Sequence, residues 1–280
     1  MSRPPTHLDK SAVLDGLSAS WRNIDGILRS LEPARWQANT ALPGWTVHDI
    51  VAHMVGTELL LQGVPTPESD VDVSVLEHVR NDIGALNERW VRKLRTVSCT
   101  ELHEMFRTVT TERLQELADL SDEMWNGITA TPAGPDTYGR FMRVRVFDCW
   151  MHELDIRDAV AMPPRAEELV GPDSTLGLDE MAASMGFVVG KLGGAPDGAR
   201  VTIELTGPLR REFNVAVQGR GRLVPDFGAE SPTTSIVLDT VLFTRIAGGR
   251  TPPGAHADAI SYRGDEAVGR RIVEHLNYMI

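Results

Sequence analysis

The chain has little cysteine. Two residues in 280, Cys99 and Cys149, build neither a disulfide framework nor a Cys-x-x-Cys metal site, and a reducing interior is the natural home for such a chain. An apolar leader is missing too: Met1-Ser-Arg-Pro-Pro-Thr-His-Leu-Asp-Lys10 carries no run of the kind a signal peptide has. No window approaches the apolar length of a membrane span. A cytoplasmic protein is expected. There is no cationic excess either, and the net charge of −11 argues against sequence-independent binding to nucleic acid or an anionic membrane. Internal repeats and low-complexity tracts are absent. What remains, with 42% hydrophobic and 24% charged residues, is a globular composition long enough for one large domain or two ordinary ones.

The texture changes near residue 163. Before it the signals are helical. Val13, Leu14, Leu17, Trp21, Ile24, Ile27 and Leu28 recur at spacings of three and four and predict a helix from about Asp9 to Leu31. Thr46-Val-His-Asp49 reads as a capping box and predicts a second helix to about Gln62. A third is expected over Val73–Val97, with Leu76, Val79, Ile83, Leu86, Trp90 and Leu94 on one face, a fourth over Thr100–Leu120 and a last over Tyr138–Val160. Pro163-Pro164 breaks the pattern and divides the chain into a helical bundle, 1–162, and a smaller α+β domain, 163–280. In the second part a helix is expected at Ser174–Leu192 and strands at Arg200–Leu205, Glu212–Val217, Thr234–Leu238 and Ala259–Tyr262. Helices are expected at Asp239–Ala247 and Asp265–Leu276. The fold class is α+β.

Chemistry concentrates in Arg145-Val-Phe-Asp-Cys-Trp-Met-His-Glu-Leu-Asp-Ile-Arg-Asp-Ala-Val160. On a helix, Asp148 and His152 project from the same face, so a carboxylate and an imidazole can reach one divalent ion. The best candidate for a third ligand is His53, in Leu42-Pro-Gly-Trp-Thr-Val-His-Asp-Ile-Val-Ala-His-Met54. Three protein ligands leave an open coordination position, as catalytic zinc sites do. Each residue also has a plainer reading. An Asp/His pair at this spacing is more often a surface or capping pair, and a lone histidine among Val51, Ala52 and Met54 is more often a hydrogen-bonded core residue. His48 is expected to be exposed, Asp49 to cap its helix, and Trp45, Trp90 and Trp150 to anchor the core. Cys149 points about 100° away from Asp148 on a helix and reads as packing. Asp155 is placed either to orient His152 or to pair with Arg157 or Arg145. His103, His256 and His275 show no ligand spacing.

These residues resemble the mycothiol-dependent maleylpyruvate isomerase family, within the DinB-like metal-binding bundles. Two stretches carry the first half of the resemblance, Leu42 to His53 and Trp150-Met-His-Glu-Leu-Asp-Ile-Arg-Asp-Ala-Val160. Asp239-Thr-Val-Leu-Phe-Thr-Arg-Ile-Ala-Gly-Gly-Arg250 and Arg263-Gly-Asp-Glu-Ala-Val-Gly-Arg270 are similar to that family's sterol-carrier-like C-terminal domain. The resemblance implies a DinB-like four-helix bundle followed by an α/β layer. It also implies a metal, usually zinc, held by residues matching His53, Asp148 and His152. An arginine of the C-terminal domain is implied to bind an anionic substrate or thiol, and Arg250 is the candidate; a surface arginine is the alternative. One departure stands out: Asp148 occupies a position where the isomerase is expected to have Glu. A side chain one methylene shorter leaves zinc, nickel, iron or an empty site open.

Two functions follow. One is a metal-dependent enzyme using a low-molecular-weight thiol, implied to be mycothiol, for isomerisation or S-transfer on a small electrophilic substrate. In that case the metal is expected to face a cleft between the domains, with Arg250 on the opposite wall. The other is a non-catalytic carrier, with an apolar ligand in the second domain and a structural or vestigial metal site. Metal content separates the two.

Overall fold

The computed structural model describes residues 4–278, which divide into two compact units, 4–165 with 171–177 and 166–170 with 178–278. In the first unit, helix α1 spans Lys10–Ser30 and is started by Asp9, whose carboxylate accepts the Ala12 N–H. Its apolar stripe of Val13, Leu17, Trp21, Ile24, Ile27 and Leu28 is buried. Helix α2, Val47–Leu61, opens on the capping box expected from the sequence, with both Thr46–Asp49 exchanges formed.

The third helix is shorter than its periodicity suggests. Val73–Val75 makes one 3-10 turn, and α3 runs only from Asp82 to Leu94. The stripe of Leu76, Val79 and Ile83 crosses a break. A turn closes between Leu76 and Val79, and Asn81 then caps a new helix by accepting the Gly84 N–H at 2.9 Å. Helix α4 follows at Cys99–Asp119 and a short α5 at Asp122–Asn126. A two-residue antiparallel pair, β1 (Ile128–Thr129) and β2 (Asp136–Thr137), leads into α6, Tyr138–Ala159. Neither α5 nor this hairpin has a periodicity long enough to see in the sequence. Helices α1, α4, α2 and α6 pack as a ring, each against the next, and α3 lies against α2. Trp21, Trp36, Trp90, Phe106 and Trp125 fill the core between them. Helix α6 stops where Met162 N–H reaches back to Arg157 C=O at 2.9 Å around Ala161, whose φ of 48° is left-handed, just before Pro163.

The second unit carries a mixed five-stranded sheet. Helix α7, Pro172–Phe187, begins in the first unit, continues in the second from Leu178, and ends in a π turn at Val188–Leu192 rather than continuing as α-helix. Strands β3 (Arg200–Thr206), β4 (Arg211–Gln218), β5 (Arg220–Val224) and β6 (Thr234–Asp239) precede α8 (Thr240–Ala247). Strand β7 (Ser261–Gly264) and α9 (Glu266–Glu274) complete it. The sheet order is β5-β4-β3-β6-β7, with β3 and β6 parallel and the remaining neighbours antiparallel. Strand β5 was not expected: Arg220-Gly-Arg-Leu-Val224 is a largely exposed edge strand without the alternation that marks a buried face. Gly186 and Gly190 on the helical side meet Gly221 of β5 so closely that a Cβ on any of the three would lie 2.2–2.8 Å from backbone. Overall the chain is α+β. No helix among the described residues is long and apolar enough to cross a membrane.

Candidate metal centre

Helix α2 is buried on nearly every face, so His53 sits inside the bundle at 4% exposure. It does not point away into apolar surroundings. Its Nε2 lies 3.4 Å from Asp148 Oδ2, and His152 Nε2 lies 3.5 Å from Asp148 Oδ1. The two imidazole rings approach edge to face with centroids 5.0 Å apart. One donor atom from each of the three residues lies within 4.8 Å of the others. Zinc bound tetrahedrally at about 2.0–2.2 Å needs donor separations of about 3.3–3.6 Å. Each imidazole already stands at such a distance from an Asp148 oxygen, a different one in each case, so a shared ion needs a small inward movement of the three side chains. Two imidazoles and one carboxylate are also the donor set of open zinc sites. The residues therefore fit a divalent ion.

The surroundings tune the donors. Asp155, 1% exposed, lies 3.1 Å from His152 Nδ1. A carboxylate there keeps the proton on Nδ1 and leaves the Nε2 lone pair for a cation. Of the two placements the sequence offered Asp155, this is the one that involves the site. Burial pushes the His53 imidazole down, against the Asp148 hydrogen bond, and so favours its neutral, ligating form. Burial alone would raise the Asp148 carboxyl. The charges of His152 and Arg145 and the hydrogen bond from His53 outweigh it and hold the group well below the usual carboxylate range. Trp45 stands over both imidazoles, 5.3 Å from the His53 ring and 6.4 Å from that of His152. Its indole N–H donates to Glu88 Oε2 at 3.0 Å, and His78 Nε2 lies 3.1 Å from the same oxygen. Trp45 is thus a wall of the site as well as a packing residue. The Asp148 side chain is 32% exposed against 5% for His53 and 8% for His152, so the cluster opens to solvent on the carboxylate side.

Several expectations need correction or addition. His48 is buried at 3%, not exposed, because its Nε2 reaches the Val97 carbonyl at 2.9 Å. Cys149 is packing, as expected: Trp21 Nε1–H points at its sulfur at 3.3 Å, and burial pushes the thiol up to about 12. A buried ion cluster beside the site goes beyond what was expected. Arg145 contacts Glu58 and Asp148, and Arg113 approaches the other Glu58 oxygen at 3.3 Å. Charged residues ordinarily read as surface, and only their position on helices otherwise buried all round could have suggested this. Arg250 belongs to the second unit. It follows α8 at a C-cap where Gly249 takes a φ of 69°, and its N–H donates to the Arg245 carbonyl at 2.8 Å. Its guanidinium also donates to the Gly248 carbonyl.

Comparison with known proteins gives the family and the fold. Residues 17–157 match the mycothiol maleylpyruvate isomerase N-terminal domain, and residues 175–271 match the MDMPI C-terminal domain. An uncharacterized protein of Mycobacterium tuberculosis, found in two strains, is 24% identical over 203 residues, covering 71% of this chain and 75% of the relative. A crystal structure of the mycothiol-dependent maleylpyruvate isomerase superposes with a TM-score of 0.58 at 17% identity, covering 91% of this chain and 93% of that one. A mutant of the same enzyme gives 0.57 at 16% identity. At such identities the structural likeness speaks for the fold alone. With both domain matches in chain order and spanning most of its length, this chain belongs to the mycothiol maleylpyruvate isomerase family.

Proposed function

We propose that the chain is a metal-dependent enzyme that uses a low-molecular-weight thiol, mycothiol, to isomerise or S-conjugate a small electrophilic substrate. The observation that carries the reading is the convergence of His53, Asp148 and His152 at donor spacings suited to a divalent ion, open on one side. Zinc is the favoured ion, since two imidazoles and a carboxylate suit it. Bound there, a divalent cation strongly favours thiolate over thiol.

The remaining work falls to the chain. Asp155 holds the His152 tautomer, and Trp45 limits the approach to the solvent-facing edge beside Asp148. Addition of the thiolate to a conjugated acid forms a C–S bond and turns the double bond into a single one. Rotation and loss of the same thiolate then restore the double bond with changed geometry, so the thiol is regenerated. In S-transfer a leaving group instead departs with its electron pair and the thiol is consumed. A hydrolytic reading is disfavoured because the two glutamates next along the chain from the histidines are already paired, Glu58 with Arg145 and Glu153 with Arg157 at 2.8 Å. Arg250 is proposed to hold an anionic group of the substrate or thiol, and Arg250→Met should then raise KM more than it lowers kcat.

Metal-loaded protein with maleylpyruvate-like and other electrophilic substrates, assayed with and without mycothiol, tests the reading. Turnover should require the thiol and should fall by more than about 100-fold in His152→Ala, beyond the loss typical of residues that only orient ligands. Thiol-independent hydrolysis abolished by the same substitution would sink the proposal and leave a metallohydrolase.

A further inference from the structure

Arg145 is 4% exposed, yet its guanidinium is fully employed. Nε and one terminal nitrogen both donate to Glu58 Oε1, at 3.0 and 2.7 Å, and the other terminal nitrogen donates to Asp148 Oδ2. Glu58, 1% exposed, is held from its other side by Arg113, which is itself tied to Glu116 at 3.0 Å and to Tyr138. The cluster therefore joins α4, α2 and α6. Two of these helices deliver the metal-site donors: His53 and Glu58 share α2, and Arg145, Asp148 and His152 share α6.

Asp148 is the donor most in need of such help. It has a one-methylene arm and the most exposed side chain of the three. Left alone, a carboxylate facing water can rotate and hydrate. We infer that Arg145 is a positioning residue: clamped by Glu58, it grips Asp148 Oδ2 and fixes the carboxylate plane so that one oxygen faces each imidazole. An ion pair that merely joined two helices would be complete with Glu58 and would have no need to reach Asp148. The planar fork matters, because a guanidinium can serve both carboxylates at once in fixed directions. The inference rests on the metal reading of this site.

The test uses the full-length protein stripped of metal, with cobalt(II) as the probe. Affinity is read by competition with a chelating dye, geometry from the visible absorption of bound cobalt, and folding from circular dichroism. The paired variant Glu58→Gln/Arg145→Met removes the clamp and one charge of each sign, leaving Arg113 its Glu116 partner, and Arg145→Lys keeps the charge but loses the fork. Both should bind cobalt about 10–100-fold more weakly than wild type, with spectra shifted toward that of Asp148→Ala. Folded variants with wild-type affinity and spectrum would overturn the inference and leave the cluster as a helix tie. Should the paired variant not fold, Arg145→Lys decides on the same criteria. If wild type itself takes up no cobalt, the metal reading fails first, and the inference falls with it.

Discussion

The two units of this protein are built around different interiors. In the second, the buried positions of β3 and β6 are Val201, Ile203, Leu205, Ile236 and Leu238, and the buried polar groups are mostly hydroxyls such as Thr202, Thr234 and Thr240. In the first, α6 buries 15 of its 22 residues, among them Arg140, Arg143, Arg145, His152, Glu153, Asp155 and Arg157. A sheet face closed by alternation is satisfied by area and shape, and tolerates small losses. A charged interior is satisfied only by complete partnerships, and losing one partner strands another. The candidate site sits in the second kind of interior, which can hold imidazoles and a carboxylate in place before any ligand arrives.

Substitutions of nearly equal size put this difference to the test. Asp136, 4% exposed, accepts from Thr6 N at 2.7 Å, Thr137 N at 2.8 Å, Thr6 Oγ1 at 2.9 Å and Arg140 at 2.9 Å. Asn in its place offers one acceptor oxygen and turns an amide donor toward existing donors. Asp136→Asn should cost about 2–4 kcal/mol in urea unfolding, without change in volume. A loss below about 1 kcal/mol would remove the contrast between the interiors.

Glu153 gives an intermediate effect that depends on pH. Burial pushes it up to about 7, against the pull of Arg157, and the neighbouring Asp173 adds in the same sense. The folded state thus holds a proton that the unfolded chain releases near its ordinary value of about 4.3, so this group's stabilisation is full at low pH and fades as pH rises toward 7. Glu153→Gln, which mimics the protonated form, should gain on wild type by roughly 3 kcal/mol between pH 4 and pH 8. Parallel stability curves would show that Glu153 is charged in the folded protein throughout.

The smallest effect belongs to the sheet. Ile203, 1% exposed, lies beside Phe213 on one side and Ile236 on the other. Ile203→Val should lower stability by only about 0.5–1.5 kcal/mol, measured by the same unfolding experiment. A larger loss would mean that this core is as exacting as the charged one.

How legible each part was follows from the same physics. The α1 stripe and the Thr46–Asp49 box are local patterns, and the structure forms both. Asp148 and His152 were readable because four residues on a helix is a spatial statement. His53, 95 residues upstream of Asp148, could be named as a candidate from its sequence, but no local rule links residues on separate helices, and the family resemblance supplied the pairing. Arg145 and Glu58 escaped for the opposite reason: their types argue for solvent, and their burial is a property of the bundle. The third helix was overextended because apolar spacing continued through a turn that Asn81 ends, and β5 was overlooked because an edge strand has little to bury.

The contact of Gly186 and Gly190 with Gly221 limits which substitutions this chain can absorb. Most packed positions can exchange volume, one residue growing while its neighbour shrinks. Here all three partners are already the smallest residue there is, and each stands against the backbone of another. No second change at the junction can rescue a first. A side chain at any one of these glycines must move the end of the helical segment away from β5 or break the arrangement, so this corner of the second unit admits no compensating repacking.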